Sequence, residues 1–193
     1  MACRAEGVSL DLCTGIGCTS RQQIRLHGGD LAQIAALFRP PASGPQGERA
    51  RIRQAIALLE RLAGRTSPIR LDRGGNPDSV VGGDSPTAAM AEWPPSALRR
   101  EHPDIRGQLD CVAESTNTTI FLRLLEERGL LRWHEVLEPA FRAPRVFDQH
   151  WAARIREKAS GRLYAVDSWY LDNGQPPYIQ PLADWQRKAP LPE

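Results

Sequence analysis

Three residues of this chain have the types and order that thiol chemistry needs: Cys111, His150 and Asp167. Cys3, Cys13 and Cys18 crowd the N-terminal segment, while Cys111 stands alone in mid-chain. It follows Asp110 where an apolar-periodic run begins, so it is expected to start a helix. A helix start offers unpaired backbone N–H groups and the positive end of the macrodipole, and both favour a thiolate. The help matters, because an ordinary thiol pKa of about 8.5 leaves only a few per cent ionised at pH 7. His150 can take and return a proton. Asp167 can accept the imidazole N–H and fix its tautomer. Together the three groups fit acyl transfer through a thioester.

The elements that must position them are legible as patterns. From Asp110 to about Arg128 the spacing predicts a helix, with Cys111, Phe121, Leu122, Leu124 and Leu125 as apolar positions and Gly129 as its stop. The runs 150–156 and 162–167 alternate, and the joint between them contains Ser160-Gly161, which predicts a β-hairpin. A turn centred on Lys158 and Ala159 puts His150 directly opposite Asp167. Opposed residues of an antiparallel pair have Cβ atoms roughly 4.5–5.5 Å apart on one face, whereas a slip of one residue would send them to opposite faces. Residues 130–136 are expected to form a strand and 139–144 a loop.

Upstream, residues 1–29 read as an irregular N-terminal arm with at most one short strand, 23–26. The rest, 30–193, reads as a single domain. Its part 30–64 is helical, with Asp30 as an N-cap and a second helix over about 47–63, whose stripe is Ile52, Ala55, Ile56, Leu59, Leu62 and Ala63. Residues 65–107 are turn-rich and read as a long, partly ordered loop crossing one side of the active site. The catalytic core is 108–187, with a turn-rich tail held by Pro176, Pro177, Pro181 and Trp185. The expected class is α+β, with the Cys helix packed on an antiparallel sheet carrying His and Asp.

Composition narrows the function classes. With 193 residues and 41% hydrophobic content the chain can bury a core. Its 25 basic and 23 acidic residues are dispersed and leave a net charge of +2, so no basic block points to nucleic acid or an anionic membrane. No run approaches the roughly 18 apolar residues of a membrane span. The start of the chain has no signal-peptide pattern, so the expected location is cytoplasmic, or periplasmic or secreted if a leader precedes it. No cofactor and no metal are expected. Cys13 and Cys18 are close enough to bridge through Thr14-Gly15-Ile16-Gly17; two reduced thiols, or a zinc site, are the other readings of the same cysteines.

Each candidate also has a bland reading. Cys111 alone suits an inert buried thiol, His150 a satisfied core histidine, and Asp167 a turn cap. His134, between Trp133 and Glu135, reads as structural. Asn117-Thr118-Thr119 matches a glycosylation sequon but falls inside the expected helix. Glu114 and Asn117, on successive turns of that helix, are candidates to line a substrate cleft. Gln108 and Trp151 are candidates for oxyanion or cleft-wall contacts.

Gly107-Gln108-Leu109-Asp110-Cys111, His150-Trp151-Ala152 and Ala165-Val166-Asp167-Ser168-Trp169 together resemble the three signatures of the transglutaminase-like superfamily within the papain-like fold. The resemblance covers roughly residues 105–187. It extends to a group of proteobacterial transglutaminase-like proteins through Glu114-Ser115-Thr116-Asn117-Thr118-Thr119, Gly129-Leu130-Leu131-Arg132-Trp133-His134 and Leu12-Cys13…Gly17-Cys18; members of that group are commonly exported. The resemblance implies Cys111 as nucleophile, His150 as base and then acid, and Asp167 as orienter. In animal transglutaminases a Gln precedes the Cys and a Trp follows it, where this chain has Asp110 and Val112. Protein cross-linking is therefore a less direct expectation than hydrolysis of a peptide, protein or other amide, or of a thioester. A non-catalytic binding or scaffold protein that keeps the fold is the competing expectation.

Overall fold

The computed structural model describes residues 7–75, 106–143 and 149–192. It is a mixed α+β protein whose helices pack on a four-stranded antiparallel sheet. The chain opens with a hairpin of β1 (Val8–Cys13) and β2 (Arg21–Leu26), followed by α1 (Gly28–Ala36), α2 (Pro45–Ala63) and a 3₁₀ turn over Pro68–Leu71. After these come α3 (Cys111–Glu127), the strands β3 (His134–Arg142), β4 (His150–Glu157), β5 (Leu163–Asp167) and β6 (Tyr178–Pro181), and α4 (Leu182–Gln186). The four strands pair in chain order, and α3 lies across β3, β4 and β5.

Local chemistry sets the ends of α3. The Asp110 side chain accepts the Ala113 N–H at 3.0 Å, capping the first turn. At the other end Gly129 adopts φ +67°, and the Leu130 N–H reaches back to the Leu125 carbonyl at 3.0 Å, a Schellman closure that only a left-handed residue allows without strain. Phe121, Leu122, Leu124 and Leu125 drive the helix into a core shared with Ile52, Ile56 and Leu59 of α2. The last part of α1's expected cap is different. His27 holds the cap position, and Asp30 sits in the first turn, where its carboxylate accepts the His27 N–H at 2.9 Å.

Three expectations are corrected. The segment 1–29 is not an arm over its described part: Leu10, Leu12, Ile24 and Leu26 alternate inward and belong to the main core. The strand expected over 130–136 starts only at His134, because the backbone before it turns to serve a buried carboxylate. Glu48 accepts the N–H groups of Arg132 (2.7 Å), Trp133 (2.9 Å) and His134 (3.0 Å). The loop expected over 139–144 is strand as far as Arg142. Pro139 is tolerated because β3 is an edge strand and its pairing with β4 shifts between Leu137 and Ala140, a bulge that dispenses with the missing N–H. The tail adds a strand, β6, against β5. Of the long loop, residues 76–105 lie outside the described residues, so its expected crossing of the active site does too.

Glu48 joins α2 to the start of β3, and His134 Nδ1 lies 2.9 Å from its carboxylate. Arg49 donates to His134 Nε2 at 3.2 Å, which makes the ring a neutral Nδ1–H tautomer. Burial pushes the Glu48 carboxyl up, but the hydrogen bonds from His134, Arg132 and Trp133 outweigh it and leave the group below the usual carboxylate range. A lowered native pKa gives stability that is present above the unfolded value and is lost as pH falls through the native one. Glu48→Ala is expected to lower unfolding free energy by about 3 kcal/mol at pH 7, because several buried donors lose one acceptor. The difference from wild type should shrink below about pH 4 in urea titrations; a constant difference down to pH 3 would contradict it.

Candidate active site

β4 and β5 do form a hairpin, but its register differs from expectation by two residues. Ala153 pairs with Val166 and Arg154 with Ala165, and the Glu157 N–H closes on the Arg162 carbonyl at 2.8 Å. The turn is therefore Lys158–Gly161, with Gly161 at φ +71°. A shift of two keeps the face and changes the neighbour. Asp167 comes level with Ala152, and His150 lies diagonal to it. The imidazole is long enough to cover the diagonal: His150 Nε2 lies 2.7 Å from Asp167 Oδ2. An ionised carboxylate only accepts, so Nε2 carries the proton.

That tautomer leaves His150 Nδ1 as the basic nitrogen. It is buried and makes no hydrogen bond among the described residues, although His150 is only 3% exposed. The ring is walled by Trp169, Tyr170 and Trp185, with centroids 5.0, 5.4 and 5.7 Å away.

Cys111 is the first residue of α3, lies outside the disulfide and is 4% exposed. The stripe Cys111, Glu114, Thr118 runs along one face of the helix. Its far end is fixed beside Asp167: the Thr118 and Ser168 hydroxyls are hydrogen-bonded at 3.0 Å. Glu114 feels the charge of Asp167 directly. The Cys111 face of α3 is thus turned to the end of β5 where the His–Asp pair sits. His150 and Asp167 are hydrogen-bonded to each other, whereas no hydrogen bond joins Nδ1 to the Cys111 thiol.

The other candidate residues are placed elsewhere, and the reasons are local. The Asn117 carboxamide is consumed by Cys13, accepting its N–H at 2.8 Å and donating to its carbonyl at 2.9 Å, so it braces the β1–β2 hairpin instead of lining a cleft. Gln108 is taken up by the 68–73 segment, donating to the Leu71 carbonyl at 2.6 Å and accepting the Arg73 N–H at 3.2 Å, which engages both ends of its carboxamide. Trp151 alternates with His150 and points to the other side of the sheet, 36% exposed and 4.9 Å from the Phe141 ring. Glu114 is buried one turn after Cys111 and faces Asp72. Cys13 and Cys18 are joined as a disulfide, with Cα atoms 4.8 Å apart. Among the described residues no group of three or more His, Cys, Asp and Glu side chains is disposed to hold a metal ion, and no helix is long and apolar enough to cross a membrane.

Sequence reasoning missed two contributors. Trp185, read as tail packing, donates its indole N–H to Asp167 Oδ2 at 2.7 Å, the same oxygen that serves His150. Arg142 lies over its ring at 4.6 Å and donates to the Tyr170 hydroxyl at 2.7 Å, closing the aromatic wall. The second contributor is a clip, residues 68–75, bridging the backbone before Cys111 and the backbone after Asp167. Gly107, at φ +76°, lies so close to Pro68 that a Cβ would meet its carbonyl oxygen at 2.1 Å. On the other side the Gly75 N–H donates to the Trp169 carbonyl at 2.7 Å, and Arg73 pairs with Asp172 at 2.8 Å. Asp172 is held below the usual carboxylate range, first by the Gly74 N–H and then by Arg73. A tryptophan at the end of an amphipathic tail is a signal that could have suggested a buried indole; the clip has none.

No family model, curated protein or solved structure matches the chain. The site therefore rests on its own geometry. Trp185→Phe keeps an aromatic ring but removes the donor and part of the buried volume, and is expected to cost at least about 1–2 kcal/mol in urea unfolding. An unchanged midpoint would show that Asp167 does not depend on this bond.

Proposed function

We propose that the protein is a cysteine-dependent acyl-transfer enzyme of transglutaminase-like, papain-like type, with Cys111, His150 and Asp167 as its triad. The observation that carries this is the His150–Asp167 hydrogen bond, which leaves a buried, basic Nδ1 on the strand packed by the Cys111 helix. Asp167 holds the imidazole in the Nε2–H tautomer. Nδ1 takes the Cys111 proton, and the helix start favours the thiolate. The thiolate attacks an amide or thioester carbonyl, and the backbone N–H of Cys111 is one donor to the oxyanion. The imidazolium then protonates the leaving group, an amine from an amide or a thiolate from a thioester. Water, activated by the same nitrogen, releases the acyl group and regenerates the thiol.

Hydrolysis is the default outcome, as peptidase or amidase, because water reaches a thioester more readily than a selected amine. Transamidation uses the same acyl-enzyme and differs only in the acceptor. The Cys13–Cys18 disulfide favours work in an oxidising compartment.

The test is capture of the acyl-enzyme. Peptide thioesters and activated amides are incubated with the protein, and Cys111 is monitored by peptide mass spectrometry after rapid quench. Acylation of Cys111 followed by loss of the label to water is expected. His150→Ala should slow it by roughly 10²–10⁴-fold. Turnover that survives Cys111→Ala, or no acylation of Cys111 by any of these substrates, would overturn the proposal.

A further inference from the structure

Asp72 is 3% exposed and lies at the centre of the clip, where its two ends do different things. Its carboxylate Oδ1 accepts the N–H of Leu109, two residues before Cys111, at 2.7 Å. Its backbone carbonyl accepts the N–H of Asn173, beyond Asp167, at 3.2 Å. One residue thus ties the approach to the nucleophile to the loop that follows the orienter. Glu114, one turn into the Cys111 helix, faces the same carboxylate. Cys111 is therefore bracketed by Leu109 on one side and Glu114 on the other, with Asp72 bonded to the first and facing the second.

Two carboxyl groups packed together are relieved when one of them keeps its proton. Burial, and then the charges of Glu60 and Asp72, hold Glu114 well above the usual carboxylate range, which favours its neutral form. The charged groups facing it are Glu60 from α2, Asp72 from the clip and Asp167 from β5. Glu60 is itself pushed up to about 8, chiefly by burial, while its Oε2 accepts the Gly174 N–H at 2.6 Å. The nearby cation is Arg61, which is directed at the Gly174 carbonyl at 2.6 Å and lowers Glu60 in part.

We infer that Asp72 is the positioning residue of Cys111: it fixes the Leu109–Cys111 backbone through the Leu109 N–H, with Glu114 of the Cys111 helix set against it. The inference rests on the acyl-transfer reading of Cys111, and assigns to Asp72 and Glu114 no contact with substrate. What they supply is geometry. The backbone N–H of Cys111 must point at the developing oxyanion, and a displacement of about 1 Å at such a site is enough to lose about a hundredfold in rate.

The experiment combines steady-state kinetics with the pH dependence of Cys111 alkylation by iodoacetamide, on Asp72→Ala, Glu114→Ala, Glu114→Gln and, as a control, His150→Ala. Asp72→Ala and Glu114→Ala are each expected to lower kcat about tenfold or more with KM within about twofold, the signature of lost positioning instead of lost binding. Glu114→Gln is a neutral isostere that cannot ionise. It should therefore hold kcat within about threefold of wild type and keep it at alkaline pH, where wild type falls as the acid loses its proton. The Gln and Ala pair at position 114 carries the test even if Asp72→Ala does not fold. Glu114→Gln as impaired as Glu114→Ala, or an Asp72→Ala protein with wild-type kcat and an unchanged alkylation profile, would overturn the inference. An alkylation profile indifferent to His150→Ala would instead overturn the acyl-transfer reading, whatever position 72 does.

Discussion

A carboxylate at the end of β5, 2% exposed, is the constraint around which the site is built. Burying Asp167 as an ion is costly unless its oxygens are satisfied. Two strong donors meet on Oδ2: the imidazole of His150 and the indole of Trp185, each at 2.7 Å. The backbone N–H of Trp169 approaches Oδ1 at 3.3 Å. Each donor comes from a different element, so satisfying one charge requires β4 to be in register, α4 to be folded over the sheet and the chain after β5 to turn back. Removing any of these leaves the carboxylate exposed to the cost of its own burial. The histidine is thus oriented by the same event that completes the fold.

A second layer of polar contacts positions the nucleophile's helix. α3 is pinned in three places: by Thr118 to Ser168, by Asn117 to the backbone of Cys13, and ahead of its first turn by Asp72 through Leu109. The disulfide-closed hairpin therefore belongs to the frame of the site as well as to the core. Arg21, anchored on Asp11 at 2.7 Å, lies 3.0 Å from the Cys18 sulfur and keeps that end of the hairpin closed. Such contacts contribute about 1 kcal/mol each to stability. Their larger effect is on orientation, since they hold one helix face against one sheet end.

What the sequence discloses follows the range of the interactions. The start and stop of α3 were readable because Asp110 and Gly129 act within a few residues of themselves. The face shared by His150 and Asp167 was readable because strand alternation depends only on parity. The register was not, since Lys158–Gly161 closes one residue later than the composition of the turn suggested. Beyond that range the pattern fails. Nothing near Asp72 marks it as a partner of Leu109, which is 37 residues away, and nothing near Cys13 announces Asn117, 104 residues away. The N-terminal hairpin escaped for a related reason. Its inward residues Leu10, Leu12, Ile24 and Leu26 are interleaved with Asp11, Gln23 and Arg25 and flanked by glycines, which read locally as an irregular segment.

The side-chain amides expected at the site, Asn117 and Gln108, are occupied with backbone. This is a general hazard of reading polar residues beside a nucleophile, because a helix start carrying a thiol needs rigid support from the same residue types that would bind substrate. The central claim, that Cys111 is a nucleophile served by His150, is tested most directly by titrating the thiolate of the intact protein through its ultraviolet absorbance, with Cys111→Ser as the blank. The account predicts thiolate absorbance that appears well under the ordinary thiol value of about 8.5 and moves upward in His150→Ala. A thiol that titrates at or above that ordinary value in both proteins would contradict it.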